Sequence, residues 1–317
     1  MNNTQYALGI DIGGTNTAYG LVDQKGNVLF ENNLPTVQFI TPEALIDAIY
    51  LDINSNHSDI HLIGISVGAP NGNHFTGNIE NAPNLSWKGI IPLAQLFEKK
   101  FNIYSELTND ANAAAIGEHL FGNAQDLKDF VTITLGTGLG SGVFINGEIV
   151  YGNQGFAGEY GHIRAIKNGR LCGCGRYGCL ETYASSTGVV RSVSELASDH
   201  KSTSSLNEIK KPTAKIVFEH AEKGDLFANE IVEYTAEILG YSLADFACFS
   251  NPEAYVLFGG IAQSGNTFAE RVKFHMENNL LNILKNHIEI RVSSLHNKNA
   301  AILGSAASIF LKNKKGR

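Results

Sequence analysis

Apolar and polar positions along the chain predict one order of elements that occurs twice. The apolar run Tyr6–Ile10 ends in a glycine-rich turn and is followed by a second run, Ala18–Val22. Gln24-Lys25-Gly26-Asn27 then turns the chain into a third, giving three short strands. Thr41-Pro42-Glu43 reads as a helix start, with Thr as N-cap and Pro at the first helical position. Leu45, Ile46, Ile49 and Ile53 follow at helical spacing. A buried strand over Ile60–Val67, a helix over about Ile91–Phe101, a strand over Ile103–Leu107 and a helix opening at Asp110 complete the unit.

The order then recurs. VTITLGTGLGSGVFINGEIVYG, residues 131–152, is again strand, Gly/Thr turn, strand, Gly turn, strand. After a long insertion come a strand (Ala254–Phe258), a helix over about Thr267–Leu284, a strand (Ile288–Val292) and a closing helix (Ala300–Leu311). Two copies of one β-β-β-α-β-α-β-α pattern imply an internal duplication. Two such units facing each other would form a cleft with a glycine-rich hairpin on each wall, suited to holding a polyphosphate.

Composition narrows the class. A chain of 317 residues has length for two domains, and 43% apolar with 17% charged residues describes a soluble globular protein. The net charge of −7 argues against nonspecific nucleic-acid binding, which needs clustered Lys and Arg. The one basic run, Lys312, Lys314, Lys315 and Arg317, reads as a solvated terminus. No signal-peptide pattern or apolar run of membrane-spanning length occurs, so a cytoplasmic protein is expected.

Three glycine clusters carry candidate phosphate chemistry. DIGGT places Gly13, Gly14 and Thr15 at a tight strand-to-strand turn where backbone N–H groups can approach phosphate oxygens. Asp11, at the end of the first strand, stands where a nucleotide-bound Mg²⁺ needs a hard oxygen ligand. GTGLGSG, with Gly136, Thr137 and Gly138, supplies a second cradle. It is not a dinucleotide fingerprint, because residue 141 is Ser and a strand pair, not a helix, follows. FGGIAQSG, with Gly259 and Gly260, lies between a strand and a helix whose N-terminus suits a nucleotide's sugar or phosphate.

Three of the four cysteines fall within eight residues, Cys172, Cys174 and Cys179. In a reducing compartment that cluster reads as metal-binding, and His162, ten residues upstream, can complete a tetrahedral Cys₃His site. Four protein ligands leave no open position, so the expected role of a zinc ion there is structural. One ring nitrogen of His162 on the metal would fix the other as an N–H donor. Asp110 can be read in two ways, as an ordinary helix N-cap or as a carboxylate base that activates a hydroxyl.

The motifs DIGGT at 11–15, GAPNGN at 68–73, APNLSW at 82–87, NDANAAA at 109–115, GTGLGSG at 136–142, GEYGH at 158–162 and CGCGRYGCLE at 172–181 span the chain. In them it resembles the ROK family of bacterial sugar kinases, repressors and uncharacterised open reading frames. The resemblance implies the α/β two-domain actin-like, ribonuclease-H-like ATPase fold. Its expected units are a small domain of residues 1–112 completed by helix 299–317, and a large domain of residues 113–298 with a zinc loop (162–181) and a helical insertion. It also implies a glucokinase-like hexose kinase using ATP and Mg²⁺, with Zn²⁺ on His162, Cys172, Cys174 and Cys179. Asp110 would be the base, and Asn84, Asn109, Glu159, His162 and Glu181 would hold sugar hydroxyls. The resemblance further implies dimers or tetramers. Asn71 departs from the glycine that many members carry after the proline, which leaves the preferred hexose open among glucose, mannose, fructose, allose and N-acetylhexosamines. Repressors of the family carry an N-terminal helix-turn-helix extension, for which the ten residues before Asp11 leave no room.

Overall fold

A computed structural model describes residues 4–264, 266–295 and 300–314. Gly265 of the third glycine cluster and Lys315 and Arg317 of the basic tail lie outside them. The chain divides into two compact units, Met1–Asp126 with Ile149–Ala157 and Asn297–Arg317, and Leu127–Glu148 with Gly158–His296.

The first unit opens with β1 (Tyr6–Ile12), β2 (Asn16–Asp23), β3 (Val28–Pro35), α1 (Pro42–His57) and β4 (Leu62–Gly68). The Thr41 hydroxyl caps α1 by accepting from Ala44 N, Pro42 opens the helix, and Leu45, Ile46, Ile49 and Ile53 are its buried face. A small sheet of β5 (Gly72–Asn73), β6 (Asn78–Glu80) and β7 (Ile90–Ile91) follows, then α2 (Leu93–Phe101), β8 (Ser105–Thr108) and α3 (Asp110–Phe121). Ile91 was expected to begin a helix, but Pro92 delays the start of α2 and the isoleucine pair joins β6 instead.

The main sheet has the order β3-β2-β1-β4-β8. β1 to β3 form an antiparallel meander, while β1, β4 and β8 run parallel. That register places Asp11, Gly68 and Thr108 side by side at the carboxyl ends of three adjacent strands. Ligands of open α/β sheets bind beyond that edge.

The second unit contains β9 (Phe130–Leu135), β10 (Leu139–Ile145) and β11 (Glu148–Ile149), joined by the Asn146-Gly147 turn with both residues at positive φ. Four helices follow: α4 (Glu181–Ala184), α5 (Ser186–Glu195), α6 (Ala214–Glu222) and the 25-residue α7 (Leu226–Ser250). Then come β12 (Ala254–Phe258), α8 (Asn266–Asn279) and β13 (Glu289–Val292). The closing helix, α9 (Ala300–Lys314), packs on β1, β4 and α3 of the first unit. The second sheet has the order β11-β10-β9-β12-β13, which repeats that of the first strand for strand. This repeated meander with two parallel additions is the duplication read from the sequence, and it defines the actin-like ATPase fold. The parallel β9 and β12 end together, Thr134 beside Phe258, so Gly136–Gly138 and Gly259–Gly260 leave one sheet edge.

Among the described residues no helix is long and apolar enough to cross a membrane.

Candidate active site and metal centre

In the first unit, β8 runs into α3 through Asn109. Asn109 is the N-cap, its side-chain carbonyl accepting from Asn112 N at 2.7 Å. Asp110 is therefore the first residue of α3, and its carboxylate accepts from Ala111 N at 2.9 Å. The capping reading of Asp110 is thus answered by its neighbour. The Asp110 side chain is open to solvent, yet crowding by protein raises its carboxyl above the ordinary range, with the helix-start N–H groups pulling the other way. Accessibility decides whether a substrate can reach it; crowding decides how basic it is on arrival.

Asp11 ends β1 beside Gly68. Burial, and after it the negative charge of Asp110, push its carboxyl from 3.8 up to about 7. The two acids therefore feel each other. In the DIGGT turn, Gly13 N donates to Asn16 O at 2.9 Å, Gly14 is half-buried and Thr15 is exposed. Gly14 packs so tightly that a Cβ there would overlap the carbonyl oxygen of Asn84. The phosphate turn and the expected sugar residue Asn84 are thus one packed piece.

Asn71 adopts φ 53°, the left-handed conformation that glycine takes without strain and asparagine tolerates. Its side-chain amide donates to the carbonyls of Glu80 (3.0 Å) and Asn81 (3.4 Å). The substitution is absorbed within its own loop.

In the second unit, the ligand atoms of His162, Cys172, Cys174 and Cys179 all lie within 4.8 Å of one another. Cys174 Sγ is 3.7 Å from Cys179 Sγ, and Cys172 Sγ is 3.7 Å from His162 Nδ1. Thiolates held tetrahedrally at about 2.3 Å from a zinc ion stand about 3.8 Å apart, so the donor set fits that metal in identity, number and spacing. The hairpin that carries the thiols is closed by Cys172 N to Arg176 O (2.9 Å) and Gly175 N to Cys172 O (3.0 Å). His162 closes a short turn, Tyr160–His162, and aims Nδ1 at the cluster, which leaves Nε2 on the side of Glu159, 4.0 Å from its Oε2. Cys248 is exposed and outside the cluster.

Glu181, the first residue of α4, joins the metal loop to the glycine loop. Its Oε1 lies 3.1 Å from Cys172 Sγ, and its Oε2 accepts from Leu139 N at 3.4 Å. The loop at Gly136, Thr137 and Gly138 is braced by α5: Ser186 N donates to Gly136 O at 2.8 Å and the Thr187 hydroxyl to Thr137 O at 2.9 Å. Gly259, at φ 99°, and Gly260 follow β12. Beyond them, a cavity of about 300 Å³ is lined by Phe218, Asn229, Val232, Ser264, Phe268 and Arg271. Sequence reasoning missed this cavity because its walls come from three helices and a loop that share no local motif. It missed Ser141 as well, whose hydroxyl donates to Gly158 O and accepts from Tyr160 N, fixing the start of GEYGH. A lone serine in a strand carries no signal of that kind.

Two like sheets with glycine loops at the carboxyl ends of their strands, paired acids and a Cys₃His cluster define a sugar-kinase type of ATPase fold. The model of the ROK family matches residues 7–312, and the chain belongs to that family. It is 36% identical over 311 residues to the glucokinase of Halalkalibacterium halodurans, covering 95% of this chain and 93% of that protein. The structure of a ROK family glucokinase from Streptomyces griseus in complex with glucose and AMPPNP is similar at a TM-score of 0.77 and 32% identity, over 95% of this chain and 98% of that one. The xylose repressor of Bacillus spizizenii is 30% identical over 96% of this chain and 77% of the repressor.

Proposed function

We propose that the chain is an ATP-dependent hexose kinase of the glucokinase type, transferring the γ-phosphoryl group of ATP to the 6-hydroxyl of glucose or a close relative. One observation carries this reading: Asp110 starts α3 beside Asp11 while Asn109 does the capping, so its carboxylate is available as a base.

Asp110 accepts the proton of the sugar hydroxyl as that oxygen bonds to the γ-phosphorus and the bond to the ADP oxygen breaks. Asn84 and Asn109 orient neighbouring hydroxyls; the cap of Asn109 engages its Oδ1, and its amide N–H groups are the donors for sugar. From the second unit, Glu159, the Nε2–H of His162 and Glu181 serve the sugar, and Glu181 also ties the metal hairpin to the glycine loop. Backbone N–H groups of Gly14, Thr15 and Gly136–Gly138 hold phosphate oxygens, and the turn at Gly259 and Gly260 leads the nucleoside to the cavity at Phe218 and Phe268. Asp11 would hold the Mg²⁺ of the nucleotide, which neutralises phosphate charge when bound. His162, Cys172, Cys174 and Cys179 would hold a structural Zn²⁺, which stiffens the loop bearing His162. The same reading gives a cytoplasmic homodimer or homotetramer, a compartment in which the three thiols stay reduced.

A coupled ADP-release assay over a hexose panel with Mg-ATP tests the activity. Asp110→Ala should lower kcat by at least about a hundredfold while metal content and melting behaviour stay those of the wild type. Near-wild-type turnover in that variant would remove Asp110 from the role. The similarity to the xylose repressor supports a second reading, a sugar-responsive regulator, which requires hexose binding with no ADP release.

A further inference from the structure

The metal hairpin, the helices α4 and α5 and the glycine loop at Gly136–Gly138 all belong to the second unit. Between α4 and α5 the helix breaks at Ser185, whose backbone is extended (φ −104°, ψ 171°). In an unbroken helix Ser186 N would donate to Thr182 O, four residues back. Here it donates to Gly136 O at 2.8 Å instead, and the Thr187 hydroxyl donates to Thr137 O at 2.9 Å. Arg170 takes the carbonyl released in that exchange. Its Nη1 donates to Thr182 O at 2.6 Å and to Gly188 O at 3.1 Å, one carbonyl on each side of the break. The same guanidinium donates from Nη2 to Ser192 Oγ (2.9 Å) and from Nε to Glu195 Oε2 (2.6 Å). It lies 4.5 Å from the centre of the Tyr183 ring, whose hydroxyl accepts from Arg170 N at 2.8 Å. The Arg170 side chain is 8% exposed, and a charge buried to that degree must be both paired and hydrogen-bonded.

The residues ahead of the break are tied down without Arg170. Leu180 N donates to Ile163 O at 2.9 Å, and Thr182 donates to Cys179 O from its N (3.0 Å) and its hydroxyl (2.7 Å). Those bonds fix Glu181 on the metal hairpin. Within the glycine loop, Gly136 N donates to Gly138 O at 3.1 Å, which sets the shape of the turn; the bonds from α5 set its tilt. Removing the guanidinium leaves Thr182 O short of a partner, and Ser186 N is the donor placed to return to it. A helix that recloses there lets go of Gly136 O. We propose that Arg170 is a positioning residue for the phosphate loop: by occupying Thr182 O it keeps the helix open at Ser185 and commits Ser186 N to Gly136 O. This deepens the kinase reading, since it rests on Gly136–Gly138 as a phosphate cradle. Arg191 supplies a control, because it clasps Leu171 O (3.0 Å) and Glu195 Oε1 (3.2 Å) on the same side of the unit without serving Thr182 O.

Ser186→Pro removes the N–H that Gly136 and Thr182 compete for, and it does so at a position that tolerates proline: Ser186 opens α5 and Ser185 before it is extended. Calorimetry then gives the affinity for AMPPNP and for the hexose selected by the panel assay, beside zinc content, in Arg170→Ala, Arg191→Ala, Ser186→Pro and the double variant of Arg170→Ala with Ser186→Pro. Arg170→Ala is expected to weaken AMPPNP about tenfold and to leave hexose affinity and zinc content within about twofold. Arg191→Ala should stay within about twofold on every count, and Arg170→Ala should add nothing in the Ser186→Pro background. Arg170→Lys, which keeps the charge beside Glu195 but replaces the fork of donors by one ammonium, serves if Arg170→Ala does not fold. A merely structural role would weaken both ligands together, release zinc, or add to the effect of Ser186→Pro; each of these overturns the proposal. Unchanged AMPPNP affinity in Ser186→Pro would sink the phosphate-loop reading, and the inference with it. Weakened AMPPNP binding there, with Arg170→Ala and Arg170→Lys both unaltered, would sink the inference alone.

Discussion

Replacing Asp11 with asparagine should stabilise the nucleotide-free protein and cripple its catalysis, and both effects follow from the position of one carboxylate. Asp11 ends β1 next to Gly68, where burial and then the charge of Asp110 bring its carboxyl from 3.8 up to about 7. A folded-state pKa above the unfolded value means that the folded chain binds the proton more tightly. The contribution to stability is then fully present below the unfolded pKa of 3.8, is lost as pH rises, and is gone above the folded value of about 7. From there on the ionised group opposes folding relative to a neutral one. The rise from 3.8 to about 7, at 1.36 kcal/mol for each tenfold change in proton affinity, sets a ceiling of about 4 kcal/mol. Water reaching the partly exposed side chain screens part of that, leaving an expected gain on the order of 1–2 kcal/mol for the neutral isostere.

Denaturant unfolding of wild type and Asp11→Asn at pH 5 and pH 8, in a chelator and without nucleotide, measures the difference. The variant's advantage should be small at pH 5 and largest at pH 8. Mg-ATP should stabilise the wild type more than the variant, because a cation offsets the repulsion between Asp11 and Asp110 only when both carboxylates are present. Turnover of the variant should fall by about a hundredfold or more. A stability difference that does not grow with pH, or a variant that is both stable and active, would refute the account of Asp11 as a strained, cation-seeking acid.

Gly14→Ala should raise KM for both ATP and hexose and cost about 1–3 kcal/mol of stability, since its Cβ meets the backbone carbonyl of Asn84. A variant in which only the ATP KM moves would separate the two loops. Elemental analysis should find one zinc per wild-type chain and none in Cys174→Ser, with a lower melting temperature in the variant; equal stoichiometry in both would mean that the metal sits elsewhere. Asn71→Gly should leave the order of hexose preference unchanged and lose at most about 1 kcal/mol, because the asparagine amide is spent on the carbonyls of Glu80 and Asn81. A changed preference would place that side chain at the sugar. The acid limb of kcat/KM for hexose should lie above the usual aspartate value of 3.8 if Asp110 is the base, since a base acts ionised and crowding by protein raises the Asp110 carboxyl.

What the sequence disclosed follows the range over which each feature is encoded. The Thr41-Pro42 helix start, the Asn146-Gly147 turn and the Cys172–Cys179 hairpin are set by residues a few positions apart, so their chemistry can be read directly. The repeated strand order was legible because both copies use the same alternation of short apolar runs and glycine turns. The choice between Asn109 and Asp110 as cap was not, for either residue type caps a helix well. Tertiary structure makes that choice. Ala69 N donates to Thr108 O at 3.0 Å and Gly68 pairs with Thr108, which fixes where β8 stops and gives the cap to Asn109. The contact of Glu181 with Leu139 spans 42 residues, and the cavity gathers Phe218, Asn229 and Phe268 from three helices; neither leaves a local pattern. The proximity of Asp11 and Asp110 has the same origin. β1, β4 and β8 are separated in sequence by whole helices, and only their parallel order brings the two carboxylates to one edge. The motif around Asp110 names a candidate base; the strand order adds what the motif does not show, a second acid close enough that Asp11 feels its charge.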